Sequence, residues 1–340
     1  MNADIKAKSG GFSLVELMIA MAIGLIVMLA ITQAYLSMEN RRRTIVSDND
    51  SQTAGMLTLY MVEREIRNSG FAIPITSALG CTVHAAFAGN AMDPGNFTLA
   101  PVVISAGDDG ITDKVVALSG TNGAMPLPVK LLAPFLPGDN SIDVGVNYFF
   151  GAKQLSILAD PMSASDCSLV EITEKSADLN HVLVGASPWN QSSASLPASG
   201  FQSGSFIFNM GSLSLKKFFV SAADKSLRIS ETANSVEGAS TITRILAPGI
   251  VGFKARYVFD GSGLTGPQNL VAVRIALVSR GAQAERPSTA GGACDATTIP
   301  PKWSDGTTLP ILDTSPGWQC YRYKVSETTV SLRNRVWSLP

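Results

Sequence analysis

The chain has 340 residues and a formal net charge of -1; 46% of it is hydrophobic and only 16% is charged. Without a clustered excess of Lys and Arg it does not read as a partner for a phosphate backbone, so no nucleic acid is expected. An ordinary soluble protein is about a quarter charged, and part of the shortfall here sits in one N-terminal apolar segment.

The first residues, MNADIKAKSGG, lead into FSLVELMIAMAIGLIVMLAITQAYLSM, and the 22 residues from Leu17 to Met38 carry no charge. As a helix this stretch covers about 33 Å, enough for a bilayer core of about 30 Å. A secretory signal peptide would end in small residues at a cleavage site. Here Glu39-Asn40-Arg41-Arg42-Arg43 follows instead, so the segment is expected to remain in the protein as a membrane anchor. The triple Arg reads as a contact to lipid headgroups. Glu16 opens the apolar run, where a carboxylate costs on the order of 2–3 kcal/mol unless it is paired or reaches headgroup depth.

Gly10-Gly11-Phe12-Ser13-Leu14-Val15-Glu16-Leu17 resembles the class III prepilin signal of type IV pilins and type II secretion pseudopilins. In that family a short basic leader is removed by a membrane peptidase after its last glycine, and the new N-terminal residue is methylated. The resemblance implies a cleaved leader over residues 1–11, with Lys6 and Lys8 as its positive charge. It also implies cleavage between Gly11 and Phe12, N-methylation of Phe12, and Glu16 as the charge that sets register in assembly. Glu16 would lie one helical turn from the Phe12 amine, on the same face. There it offsets its own amine and helix dipole, or reaches the amine of a staggered neighbour, where an unpaired charge would penalise a wrong stagger. Counting charge alone, Arg41 to Arg43 outweigh Lys6 and Lys8 and would hold the body in the cytoplasm. The resemblance and the cysteines place the body outside.

Past the apolar run, Met56, Leu59, Val62 and Ile66 form a stripe at helical spacing, and Glu63 and Arg67 an i to i+4 pair. Asn68-Ser69-Gly70 ends the helix, with Gly70 at C′ and Pro74 beyond. The polar stretch Ser47 to Ser51 is a weak link where the helix is expected to bend or fray. A helix over 12–69 would be about 87 Å long, transmembrane in its first half (about 14–38). Its second half must lay its stripe on something, and a β-sheet is the natural candidate.

Residues 70–340 read as one large β-rich periplasmic or extracellular domain, so the fold class is α+β: a long N-terminal helix packed on an antiparallel, pilin-like body. Val251 to Phe259 and Leu270 to Val278 predict a hairpin, as do Lys216 to Val220 and Ser226 to Ser230. Further strands are expected at Val102 to Ser105, Val115 to Leu118, Ile142 to Phe150, Leu169 to Ile172, Phe206 to Met210 and Tyr321 to Val325. Four widely spaced cysteines without a Cys-x-x-Cys pair predict two disulfides in an oxidising compartment rather than a metal site. Three connectivities are open. The favoured one closes the short Gly-, Pro- and Thr-rich loop from Cys294 to Cys320 and leaves Cys81 with Cys167.

Met61-Val-Glu63-Arg64-Glu65-Ile66-Arg67-Asn68-Ser69-Gly70-Phe71 is similar to the helix-ending segment of PilW-type minor pilins. Val271 to Val278 resembles their C-terminal strand and the ending Thr328 to Arg335 is similar in style, whereas Cys81 to Phe219 shows no such resemblance. This narrower resemblance implies a protein that waits in the bacterial inner membrane and is cut by the prepilin peptidase. It would then join other minor pilins and the major pilin on the inner-membrane assembly platform. In the filament it would sit near the pilus tip, below a tip adhesin, supporting twitching motility and adhesion. A minor pseudopilin of a type II secretion system shares leader, anchor and body; a DNA-uptake pilin is the more distant alternative.

Catalytic chemistry is not expected, nor a cofactor. Gly261-Ser-Gly263-Leu-Thr-Gly266 spells a dinucleotide loop but runs into Pro267 and a strand, so a hairpin loop is expected. Asp108-Asp109-Gly110 with Asp113 lacks calcium-loop spacing and reads as a turn. His84 and His181 have no nucleophile beside them in sequence.

Overall fold

The computed structural model describes residues 13–74, 77–87, 90–91, 97–121, 127–160, 166–190, 196–235, 238–289, 291–313 and 317–332. The chain divides into two compact units, Met1–Asp50 and Ser51–Pro340. One α-helix, α1, runs from Leu14 to Asn68. Leu, Met, Ala and Ile dominate its first half, and no Pro interrupts it. The stretch Ser47 to Ser51 stays helical. Ser, Asp and Asn there cost only about 0.5 kcal/mol each in propensity, too little to break a helix continued on both sides.

The helix ends through contacts with the body. The Ser69 hydroxyl donates to the Ile66 carbonyl at 2.6 Å. Gly70, at φ 76°, takes the left-handed turn that a side chain would resist. Its N–H donates to the carbonyl of Leu118, at 2.7 Å, so this cap also fastens the helix to a strand.

The strands that build the body are, in chain order, β1 Thr82–His84, β2 Phe97–Thr98, β3 Val102–Ala106, β4 Asp113–Gly120, β5 Val129–Lys130, β6 Gln154–Ala159 and β7 Asp166–Ile172. They continue as β8 Phe206–Gly211, β9 Leu213–Ser221, β10 Ser226–Ser235, β11 Gly238–Pro248, β12 Ile250–Phe259, β13 Leu270–Arg280 and β14 Tyr323–Ser331. They form a six-stranded sheet in the order β2-β1-β7-β6-β8-β5, a five-stranded sheet β11-β10-β9-β4-β3 and a three-stranded sheet β12-β13-β14. Pairing within them is antiparallel except between β1 and β7, which run parallel.

Both expected hairpins are present, β9 with β10 and β12 with β13. The expected strand Ile142 to Phe150 is not. Only Ser141–Asp143 forms a strand, against His181–Leu183, followed by an isolated bridge from Val144 to Leu131. Asn147 then turns its Nδ2 to the carbonyls of Asp178 and His181, at 2.9 and 3.0 Å, so its side chain holds a turn. The last strand begins at Tyr323, because Trp318–Cys320 is a 3₁₀ turn.

From Ser51 onward, α1 covers the five- and three-stranded sheets. Val62 and Ile66 are fully buried, and Leu59 nearly so, in one core with Phe218, Phe253, Ile275 and Leu277. Met56 departs from the expected stripe and is 52% exposed. Gly55 is the residue pointed at the sheet there: a Cβ on it would lie 3.1 Å from the Ser279 hydroxyl oxygen and 3.2 Å from that of Ser326. Met56, about 100° further round the helix, is turned aside to line a groove with Tyr60 and Val325.

Between β13 and β14 the chain makes an excursion over 281–322. It folds back so that Trp303 and Leu309 pack on Val251, Ala276 and Val278, the outer face of the sheet that it interrupts. The three-stranded sheet is therefore covered on both faces, which explains why β13 reads as a continuous apolar run.

Candidate functional site

The candidate site is the N-terminal segment. Gly11 and Phe12, the expected processing residues, lie outside the described residues. Glu16 is in the first turn of α1 and its side chain is exposed. A carboxylate there faces the positive end of the helix dipole and the unpaired N–H groups of the first turn. Behind it, every side chain from Leu14 to Met38 is exposed, although most are large and apolar. The Thr32 hydroxyl donates to the Met28 carbonyl at 2.8 Å, so one of the few polar groups in the run is satisfied within the helix. Arg43 and Glu39 pair at 2.9 Å just beyond the run. The helix is long and apolar enough to cross a membrane. In water such a surface would be unfavourable by about 25 cal/mol for every Å² left exposed.

The cysteines form two disulfides, Cys81–Cys167 and Cys294–Cys320. The first is buried and ties the segment after α1 to β7, next to the pairing of Val83 with Cys167. The second joins Cys294 within the excursion to the last residue of the 3₁₀ turn before β14.

The acidic stretch is dispersed rather than convergent. Asp109 accepts from the N–H groups of Ile111 and Thr112, both at 2.7 Å, as an ordinary turn cap. Asp108 pairs with Lys114, and Asp113 with Lys254. Among the described residues no group of three or more His, Cys, Asp and Glu could hold a metal. His84 contacts Asp166 at 2.9 Å and His181 contacts Asp143 at 2.8 Å; both are pairs across neighbouring strands. The loop Gly261 to Gly266 joins β12 to a 3₁₀ turn, Pro267–Asn269, that opens β13.

Two sets of ion pairs were not foreseen from the sequence. The Lys216 ammonium on β9 donates to Glu65 of α1 at 2.7 Å. Burial disfavours the Glu65 anion, but hydrogen bonds from Lys216 and Arg64 outweigh it and hold its pKa below the ordinary carboxylate value. On the outer sheet face, Arg256 and Arg274 lie over the Trp303 ring at 4.6 and 4.8 Å. Both guanidinium groups also reach Asp305, at 3.1 and 2.9 Å. Sequence spacing carries no signal for partners up to 151 residues apart.

Residues 6–32 match the family model described as the prokaryotic N-terminal methylation motif. No curated protein matches the chain. Among solved structures, a type IV-like pilin from Thermus thermophilus is similar. It is 12% identical with a TM-score of 0.35, over 84% of this chain and 95% of that one.

Proposed function

We propose that the chain is a PilW-like minor pilin of a type IV pilus, a structural subunit without catalytic activity. The observation that carries this reading is the methylation motif over residues 6–32, leading into an exposed helix with Glu16 in its first turn and no charge from Leu17 to Met38. In this reading the prepilin peptidase cuts between Gly11 and Phe12, Phe12 is methylated, and residues of about 14–38 hold the protein in the inner membrane with the body outside. Glu16 then pairs with an N-terminal amine, its own or a neighbour's, as the helix enters the filament.

The test is a clean deletion of the gene, scored in parallel for sheared surface pili and for secreted enzymes. Loss of pili with normal secretion is the expected result. Intact pili with blocked secretion would overturn it in favour of a type II secretion pseudopilin. Gly11→Leu should leave uncut precursor. Glu16→Ala should spare cleavage but reduce entry into filaments; undiminished entry would contradict the role given to Glu16.

A further inference from the structure

The body leaves few sheet edges open. The β3 edge of the five-stranded sheet is closed by Tyr257, whose hydroxyl accepts the Ile104 N–H at 2.6 Å. On β12 the Asp113 carboxylate accepts the Ala255 N–H at 3.0 Å. The edge of β14 faces a groove whose other wall is α1, and the outer strands of the six-stranded sheet, β2 and β5, are two residues each.

The exception is β11. It ends the five-stranded sheet opposite β3 and pairs, among the described residues, with β10 alone. It is 11 residues long, about twice a typical strand. Ile242 and Ile245 are 65% and 56% exposed, and Thr241, Thr243 and Arg244 between and beside them are exposed too. Of the devices that normally blunt an edge, its middle carries a single charge, Arg244. It has no Lys, its one Pro is the last residue, and its only register shift lies toward that same end, opposite Leu227 and Arg228.

We infer that β11 is a dimerisation edge, pairing antiparallel with β11 of a second copy of this chain across a two-fold axis at Thr243. The strand is complementary to itself in that register. Ile242 falls opposite the partner's Arg244 and Thr241 opposite the partner's Ile245, so the isoleucines of both copies gain cover and no like charges meet directly. On the Ile242 face, Glu231 of β10 stands on one side of Ile242 and the partner's Arg244 on the other, so the charges alternate in sign. On the opposite face a hydroxyl ladder already crosses from β10 to β11, Thr232 to Thr241 at 2.9 Å and Ser230 to Thr243 at 3.1 Å. Thr243 against the partner's Thr243 extends it by one rung. A register centred on Arg244 would set two guanidinium groups face to face. Head-to-tail pairing of β11 with β3 is closed off by Tyr257. The inference does not depend on the filament reading.

The test is the mass of the full chain in mild detergent, by light scattering corrected for bound detergent. The wild type should have twice the monomer mass, and the amides of 240–246 should exchange more slowly as protein concentration rises. Thr243→Lys, a change at an exposed side chain, should be monomeric, with far-UV circular dichroism and both disulfides unchanged. Mixing it with Thr243→Glu should restore the dimer. A monomeric wild type would overturn the inference and leave the edge for a strand of another protein. A dimer that survives Thr243→Lys would place the association in the apolar helix instead, and failure of the mixture to re-form dimers would refute pairing at Thr243.

Discussion

Lys216 and Glu65 join the central strand of the five-stranded sheet to the last turns of α1, with their side chains only 23% and 14% exposed. The pair fixes where the helix lies along the sheet, while Val62 and Ile66 supply the apolar contact. Removing one partner leaves the other buried and charged, which is costlier than losing a surface pair. Glu65→Gln should therefore destabilise the body by about 1–3 kcal/mol and lower its melting temperature by several degrees. Lys216→Met in the same chain should recover part of the loss. Thermal unfolding of the four members of that cycle would read the coupling, and purely additive losses would dismiss it.

Acid should weaken the body. Glu65, Asp313 and Glu327 all have pKa values below the ordinary carboxylate range. In each, burial pushes the pKa up and is outweighed: at Asp313 by Lys225 and Arg280, and at Glu327 by Ser304 and Arg274. Asp305 is drawn to about 2, by hydrogen bonds from Thr307 first and then by Arg274. Groups with depressed folded values stabilise above the unfolded value of about 4 and lose that contribution as pH falls through the folded one. Denaturant midpoints should be flat from neutral pH down to about 5 and decline between about 4 and 2. A midpoint that rises on acidification would contradict this assignment.

Gly120 sits where three segments meet. A Cβ added there would lie 2.5 Å from the Met210 carbonyl oxygen and 2.8 Å from the Ala72 side chain, both in the core behind the end of α1. Gly120→Ala should cost about 2–3 kcal/mol or prevent folding, because backbone cannot retreat as a flexible side chain does. Gly24→Ala, with nothing within 4 Å, is the control that should leave the stability of the body unchanged.

The two disulfides should differ in effect. Cys81–Cys167 spans 86 residues inside the core, and Cys294–Cys320 spans 26 at the periphery. Chain entropy assigns about 4–5 kcal/mol to the first and about 3–4 kcal/mol to the second. Replacing Cys81 and Cys167 by Ser should shift the global denaturant midpoint most. Replacing Cys294 and Cys320 should also increase amide exchange locally, over 281–322.

The helix and both long hairpins were legible because their signals are local: an uncharged apolar run, a Gly stop, and alternating segments around short turns. The half of the body between Cys81 and Phe219 was only partly legible. Strands of two or three residues, such as Thr82–His84 and Val129–Lys130, carry no period, and β1 pairs with β7 across more than 80 residues. Met56 was misplaced because periodicity marks apolar residues and cannot see that Gly55 is the closest approach. For the site, the motif is linear, so its match over residues 6–32 could be read without any tertiary structure. The open edge of β11 could not, since an edge is defined by the absence of a neighbour.

The excursion over 281–322 binds the outer wall of the domain to three strands. Apart from one 3₁₀ turn it contains no element of regular structure among its described residues. Its ties run outward, to Arg256 and Arg274 on β12 and β13, to Arg280, and to Tyr323 and Glu327 on β14. The anchors on β12 and β13 belong to one hairpin, and those on β14 come from the strand that follows the excursion. The outer wall is thus tied to the strands on either side of its own insertion, and a chain lacking 281–322 would leave Ala276 and Val278 facing water.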